Sequence, residues 1–464
     1  MGDDLLNLVD GIRSTRIELP LKESAKDHGI QIDDDPSRQG PLLRKKKGKL
    51  ESNLDHPKEF EPITTKRWSI CRVPAHVREV DEKAYDPKIV SIGPIHHNKP
   101  SLAAMETQKL RFLNRLLQHV ILRKVDLEDA MKELEGKTRE CYSQLFNDMD
   151  SNDFVQMMIV DSCFIVELLR LFEMSNKGLD VEEPIFGTRW MLSIIGRDLL
   201  NLENQLPMFV LKTMSDLVRG FSTQTIITPL NKLALHFFEP LRLGRDKLPN
   251  EKLNSTQDMK HQHLLDLFQS SFIPSPDIKL KKRWSSDDDK LPGKGWVNNA
   301  TKLCHAGITL ERKSGYLLDL EFKDSVLKIP TLFLDDGTGP LLRNLLAYEQ
   351  SNRYAKPYFT CLAVLLDSIV DTTNDANILR HAGIIKQSKG GNDEIVDLLN
   401  SLTKELEFDI EDCYISPEIE EINYKCRSRK ARIRIAIRLI LSLVDPLSFL
   451  VGFISLLVTV LLFS

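Results

Sequence analysis

The 18 residues Leu447 to Ser464 (LSFLVGFISLLVTVLLFS) hold no charged side chain. As an α-helix rising about 1.5 Å per residue they cover roughly 27 Å, close to the roughly 30 Å hydrocarbon core of a bilayer. Just upstream stand Lys425, Arg427, Arg429, Lys430, Arg432, Arg434 and Arg438. Cations beside a membrane helix favour the cytoplasmic side, where they also meet anionic lipid. A buried core helix of this length normally carries a polar stripe, and this stretch has none. The expectation is a C-terminal transmembrane helix (residues 447–464) behind a basic juxtamembrane segment (residues 425–446), with membrane lipid as partner.

The rest of the chain reads as a soluble body. Its 464 residues are 42% hydrophobic and 28% charged with a formal net charge of −4, enough for a large core and no general nucleic-acid signal. The opening MGDDLLNLVD is acidic and lacks the charged-then-apolar order of a secretory signal. Leu6 stands where a myristoylation motif wants Ser or Thr. Seven cysteines (Cys71, Cys141, Cys163, Cys304, Cys361, Cys413 and Cys426) are odd in number, and none forms a CxxC pair. They read as reduced thiols in a cytosolic domain. An anchor at the C-terminal end inserts after synthesis, which also leaves the body in the cytosol. Two glycosylation sequons, at Asn254 and Asn299, point the other way and matter only in a lumenal or extracellular body.

Residues 1–65 carry the acidic run Asp33 to Asp35, the basic run Arg44 to Lys49 and little periodicity, and read as a weakly structured leader. Order is expected from Trp68. Cys71 to Val80 and Pro87 to Pro94 look extended; Leu110, Leu113, Leu117 and Ile121 then recur at helical spacing. Phe154 to Phe172 is almost continuously apolar, interrupted by Asp161, Glu167 and Arg170, as expected of a central buried helix. Trp190 to Val218 predicts another helix, kinked or divided by Pro207, and Gln262 to Phe268 a further one. Tyr316 to Phe322 alternates as a strand does, and Val326 to Phe333 follows a short polar turn. Helices are expected again at Leu341 to Glu349, Tyr358 to Val370, Ala376 to Ala382 and Glu394 to Leu402. The fold class is therefore mainly α: one large helical domain (residues 66–424) with a small β element, plus the transmembrane helix.

Familiar catalytic patterns are missing: GxxxxGK[ST], GxSxG and HExxH do not occur. In Gly337-Thr338-Gly339-Pro340 the proline removes an amide donor, which favours a turn over a phosphate cradle. His96 and His97, adjacent in an extended segment, point to opposite faces. His261, His263 and Asp266 carry metal-competent atoms but lack an evident third ligand, so no metal or cofactor is assigned. In the stretch Arg197 to Pro207, Asp198, Asn201 and Gln205 fall at i, i+3 and i+7, one face of a helix. Amides are poor acids, bases and nucleophiles near neutral pH, so this patch reads as a structural polar network that holds unpaired backbone.

The same residues carry a resemblance. Arg72-Val73-Pro74, Tyr85 to His97 and Met105 to Arg111 resemble the opening blocks of the plant "domain of unknown function 247" (UPF0481-type) family. Asp161 to Leu168 and Arg197 to Pro207 are similar to its central motifs, and Leu341 to Gln350 and His381 to Ile385 to its later ones. The resemblance runs from about Trp68 to the C-terminus. It departs at Asp445-Pro446-Leu447, where the family usually has an Asn-Pro-Trp-like sequence, and at Asn374 to Asn377, which replaces an acidic-valine pattern. The resemblance implies a plant protein with a C-terminal membrane helix and no established enzymatic activity. Some relatives are proposed pollen-side determinants of grass self-incompatibility. The expected function is thus membrane-anchored recognition or signalling through an unknown protein partner. An enzyme using His263 and Asp266, or an internal-membrane scaffold in defence or development, is the alternative.

Overall fold

The structure, a computed structural model, describes residues 68–119, 123–221, 228–244, 248, 253, 260–273, 296–352, 354–408 and 413–443. The expected leader 1–65, Asn254 and the expected transmembrane segment 447–464 lie outside the described residues. Among the described residues no helix is long and apolar enough to cross a membrane.

The first half of the body is built on helices α1 (Ala75–Arg78), α2 (Ala103–His119), α3 (Lys124–Glu140), α4 (Ser151–Asn176), α5 (Pro184–Gly187), α6 (Met191–Asp198), α7 (Met208–Phe221), α8 (Leu230–Phe238) and α9 (Leu264–Ser270). Helix α4 is the axis. Asp150 caps it by accepting the Asp153 amide at 2.8 Å, and Gly178 at φ +77° turns the chain away just past its end. Every residue from Asp161 to Leu171 is buried. A helix apolar around its whole circumference needs neighbours on all sides; here they are α2, α3, α7 and α8.

Helix α2 differs from expectation. Its buried stripe is Met105, Lys109, Phe112 and Leu116, whereas Leu110 is exposed and Leu113 and Leu117 are only partly buried. The apolar spacing is one residue off the true seam because the seam contains a lysine with an ionic partner in α4.

Aromatic side chains tie the first half to the second. Phe172, Phe237, Phe238, Phe268, Phe272 and Phe359 form a continuous edge-to-face series, with successive centroids 5.1, 5.4, 5.8, 5.0 and 5.4 Å apart. This geometry sets the positive ring edge against the negative face of the next ring.

The second half contains α10 (Ala300–Ala306), β1 (Thr309–Lys313), β2 (Glu321–Lys323), β3 (Val326–Pro330), β4 (Leu332–Leu334), α11 (Thr338–Ser351), α12 (Tyr358–Ile369), α13 (Thr373–His381), β5 (Ile385–Gln387), α14 (Asn392–Leu402), α15 (Ser416–Arg427) and α16 (Arg429–Leu443). Strand β3 lies between β1, parallel to it, and β2, antiparallel to it; β4 and β5 form a separate parallel pair. Asp324 and Ser325 make the β2–β3 turn, both at positive φ (+53° and +67°), the tight hairpin geometry that matches strand twist.

Mainly helical architecture with a small β element is what the sequence predicts, with three local corrections. Cys71 to Val80 is not extended throughout: it contains the helical turn α1. Tyr316 to Leu320 is not strand but a turn, in which the Asp319 amide donates to Tyr316 O at 2.9 Å. The helix expected across Trp190 to Val218 divides as anticipated, into α6 and α7, but the first part already ends at Asp198, well before Pro207.

Phe268 is wholly buried at the middle of the aromatic series. Phe268→Ala is expected to lower unfolding free energy by about 3–5 kcal/mol. Denaturant titration checks this, and a loss below about 1 kcal/mol would show that the series is not a supporting contact.

Candidate functional site

Residues 199–207, between α6 and α7, form neither helix nor strand, yet Leu199, Leu200, Leu202, Glu203, Asn204, Gln205 and Leu206 are each at most 1% exposed. Buried backbone without regular pairing must find other partners. Side chains supply them. Asn204 Nδ2 donates to Asp198 O (2.9 Å) and Val90 O (3.0 Å), and Gln205 Nε2 to Leu199 O (2.7 Å) and Asn201 O (2.8 Å). From α11, Asn344 Oδ1 accepts the Leu202 amide at 2.8 Å while its Nδ2 donates to Ala84 O (2.8 Å) and Pro340 O (2.9 Å).

The same loop holds the incoming chain. Asp198 accepts the amides of Lys88 (2.8 Å), Ile89 (2.8 Å) and Val90 (3.0 Å); Asn204 Oδ1 accepts that of Ile92 (2.7 Å). Asp161 of α4 accepts the Gly93 amide at 2.8 Å. Five of the six amides from Lys88 to Gly93 thus bond to side chains, which keeps the segment extended without any strand. Gly93 sits at φ +71°, and a Cβ there would lie 2.6 Å from Gln205 O. Only glycine admits both that backbone conformation and that approach.

Charges complete the clamp. Lys109, wholly buried, reaches Asp161 at 2.7 Å and Glu106 at 2.8 Å. Burial opposes its charge, but these two carboxylates outweigh that and raise its pKa. Burial likewise raises Asp161 despite Lys109. Glu203 accepts the Val73 amide and meets Arg78, both at 2.7 Å, with His96 Nε2 at 3.4 Å. Burial opposes its ionisation, yet those partners together hold its pKa below the usual carboxylate value. Asp198 goes the other way: burial pushes it up to about 6 against the three amides that favour its charge.

Of the three residues expected on one helix face, Asp198 ends α6, and Asn201 and Gln205 belong to the loop, so no helix face joins them. The helix stops because the Asn204 and Gln205 amides occupy the Asp198, Leu199 and Asn201 carbonyls that continued helix would use. Asn201's side chain has only a long 3.4 Å contact, from Asn344. Asn204, Glu203, Asn344, Asp161 and Lys109 carry more of the clamp and were not singled out by spacing. Asp161 and Asn344 carried one legible signal, polarity inside apolar runs; Lys109, Glu203 and Asn204 stand among polar neighbours and carried none.

His263 caps α9: its Nδ1 accepts the Asp266 amide (3.2 Å) and its Nε2 lies 3.0 Å from Ser69 O. That assigns the proton to Nε2 and engages both nitrogens. Burial depresses its pKa to about 4, so the ring is neutral. His261 Nδ1 stands 4.0 Å from Asp266. No group of three or more His, Cys, Asp or Glu among the described residues could hold a metal ion. In Gly337-Thr338-Gly339-Pro340, which begins α11, Asp335 takes the Gly337 amide at 2.8 Å and the Thr338 hydroxyl at 3.0 Å.

Asn299 caps α10 by accepting the Lys302 amide (3.0 Å), and Thr301 of the same sequon donates its hydroxyl to Asp375 at 2.6 Å. Lys425 and Arg427 lie in the last turn of α15. Arg429, Lys430, Arg432 and Arg434 are exposed on α16, and Arg438 belongs to the same helix.

A helical body whose extended entry segment and central loop are held by carboxylate and carboxamide side chains defines a scaffold in which those polar groups are committed to backbone. The chain belongs to the DUF247 family, described as a plant protein of unknown function, whose profile matches residues 70–462. It is 30% identical over 384 residues to a UPF0481 protein of Arabidopsis thaliana, covering 76% of each chain. A putative UPF0481 protein of the same plant is 24% identical over 463 aligned positions, covering 81% of this chain and 85% of its own. No solved structure matches.

Two outcomes follow from the clamp. Asn204→Ala removes three bonds and leaves buried partners unpaired, so it is expected to cost about 2–4 kcal/mol, against less than about 1 kcal/mol for Asn201→Ala. Equal losses in denaturant titration would contradict the assignment. The raised pKa of Asp198 means that its protonated form is favoured in the folded state. Its contribution is therefore complete below its ordinary value of 3.8 and is lost as pH rises through about 6. Asp198→Asn should flatten the fall of stability across that interval; an unchanged slope would assign the titration elsewhere.

Proposed function

We propose that this protein is a membrane-anchored, non-enzymatic recognition or signalling protein whose body stands in the cytosol. The observation that carries this reading is the outward face of α16. Ala431 packs against the body and is 1% exposed, whereas Ile433 and Ile437, one turn apart, are 59% and 51% exposed. Arg429, Lys430 and Arg432 are exposed beside them, whereas Arg434, also exposed, reaches back over Gly307 of the body. An apolar stripe flanked by cations suits the boundary between acyl chains and anionic headgroups. In sequence, this helix is followed by the uncharged residues 447–464.

The commitment of the clamp's carboxylates to amides and cations supports a binding scaffold over a catalyst. Among roles suggested by family resemblance, pollen-side recognition in self-incompatibility is the one this reading extends to. With the body in the cytosol, it would act there through a partner and not by direct contact with the pistil. Expression confined to pollen supports that extension, and expression throughout the plant removes it.

Charged residues at a helix centre cost about 2.5–3.5 kcal/mol each on insertion scales. Leu456→Arg/Val458→Arg is therefore expected to move the protein from the carbonate-resistant pellet to the soluble fraction. In parent microsomes, external protease should degrade the body and glycosidase should leave its mass unchanged. A double variant that still resists carbonate extraction would sink the anchor, and a protected, glycosidase-sensitive body would reverse the orientation.

A further inference from the structure

Between the first described residues, helix α11 and the chain following α14 lies an open pocket of about 460 Å³. That volume falls within the range of small-molecule sites, about 300–1,000 Å³. Its floor is made by Val73, Tyr85, Leu202, Leu346 and Leu402, none more than 4% exposed. That floor is nearly closed to water itself; the apolar surface a ligand's body would cover is that of the walls above it, Val77, Leu406 and Trp68. At the mouth stand Trp68, 52% exposed, and Glu405, a non-glycine residue at φ +60°. Strained backbone of that kind persists only where its surroundings impose it, and it concentrates at binding sites.

One charge belongs to the buried lining. Arg343, 7% exposed, lies one helical turn before Ala347 on the face of α11 that borders the pocket. A guanidinium has five N–H donors. Here Nη1 donates to Ser401 O (3.2 Å) and Nη2 to Ser401 Oγ (2.9 Å). The Nε makes no hydrogen bond and faces Asp81 Oδ2 at 3.4 Å, an ion-pair distance. Donor capacity is left over beside an apolar cavity. The remaining charged lining residues (Arg72, His76, Lys404, Glu405 and Glu407) are exposed, mixed in sign and screened by solvent, so the floor decides selectivity.

We propose that this pocket binds a small amphipathic carboxylate, its apolar body on the leucine floor and its carboxylate on Arg343. Guanidinium and carboxylate form charge-assisted bonds that a neutral amide does not match. The chain's own residues upstream of Trp68 are a poorer occupant, since Lys66 and Arg67 would bring two more cations to the site. This site is independent of the anchor and adds a ligand to the recognition role.

The test uses the full chain in lipid nanodiscs and 1-naphthoate as probe, read by calorimetry against empty nanodiscs. Saturable binding is expected, at least 10-fold tighter than for 1-naphthamide. Arg343→Met should erase that preference. Because Arg343 also holds Ser401, a second variant, Ala347→Phe, fills the pocket from α11 and should abolish binding with the thermal midpoint retained. Equal binding of naphthoate and naphthamide would overturn the proposal, as would parent-like binding by a folded Ala347→Phe protein. A photo-crosslinker at position 347 that captures residues before Trp68, with no naphthoate bound, would show that the leader occupies the pocket instead.

Discussion

The bonding of one buried, irregular loop is the constraint on which this structure rests. Residues 199–207 lie at the centre of the body, where water cannot satisfy their amides and carbonyls. Gln205 and Asn344 do so, and together with Asp198 and Asn204 they fasten three stretches of chain: Lys88 to Ile92, the end of α6 and the start of α11. A buried carbonyl left without a donor costs as much as the bond it lost, so these side chains act together or fail together. Gly93 shows how close the approach is, since no side chain fits between its Cα and the Gln205 carbonyl.

Around that loop the apolar core and the buried charges divide the work. Helix α4 and the six-ring phenylalanine series run through the hydrophobic core and join the two halves. Buried ion pairs do not add stability simply by existing, because desolvation offsets much of their attraction. Lys109 with Asp161, and Arg78 with Glu203, instead fix register: each carboxylate also accepts a backbone amide from the entry segment. Position, more than energy, is what these pairs contribute.

Function follows from what the core leaves unused. The clamp commits its acids and amides inward, and two exposed features bear on function. One is the arginine and isoleucine face of α16, which the proposed anchor would set against a bilayer; the other is the apolar pocket floored by Leu202 and Leu346 with Arg343 in its wall. Leu202 belongs to the clamped loop itself, so the pocket floor inherits the rigidity of the clamp. A preformed cavity in a rigid body suits the recognition role proposed for it.

Much of the helical architecture could be read from sequence alone. The buried run in α4, the helices α11 to α14 and the polar turn between β2 and β3 follow from local periodicity, because one face or all faces must be apolar. Polar residues interrupting such runs, Asp161 among them, already mark places where backbone needs partners. What spacing could not supply was the identity of those partners. Asp198, Asn201 and Gln205 suit one helix face on paper, yet the helix ends at Asp198 because carboxamides from six residues downstream take its carbonyls. The partners of Asp198 lie more than a hundred residues upstream, at Lys88 to Val90. Likewise Lys109 sits in the buried seam of α2 only because α4 offers Asp161, and Arg343 borders a cavity only because α14 and the entry segment stop short of filling it. Local sequence determines which elements form; which polar groups meet, and where space is left, is decided by distant segments converging, a property of the packed chain.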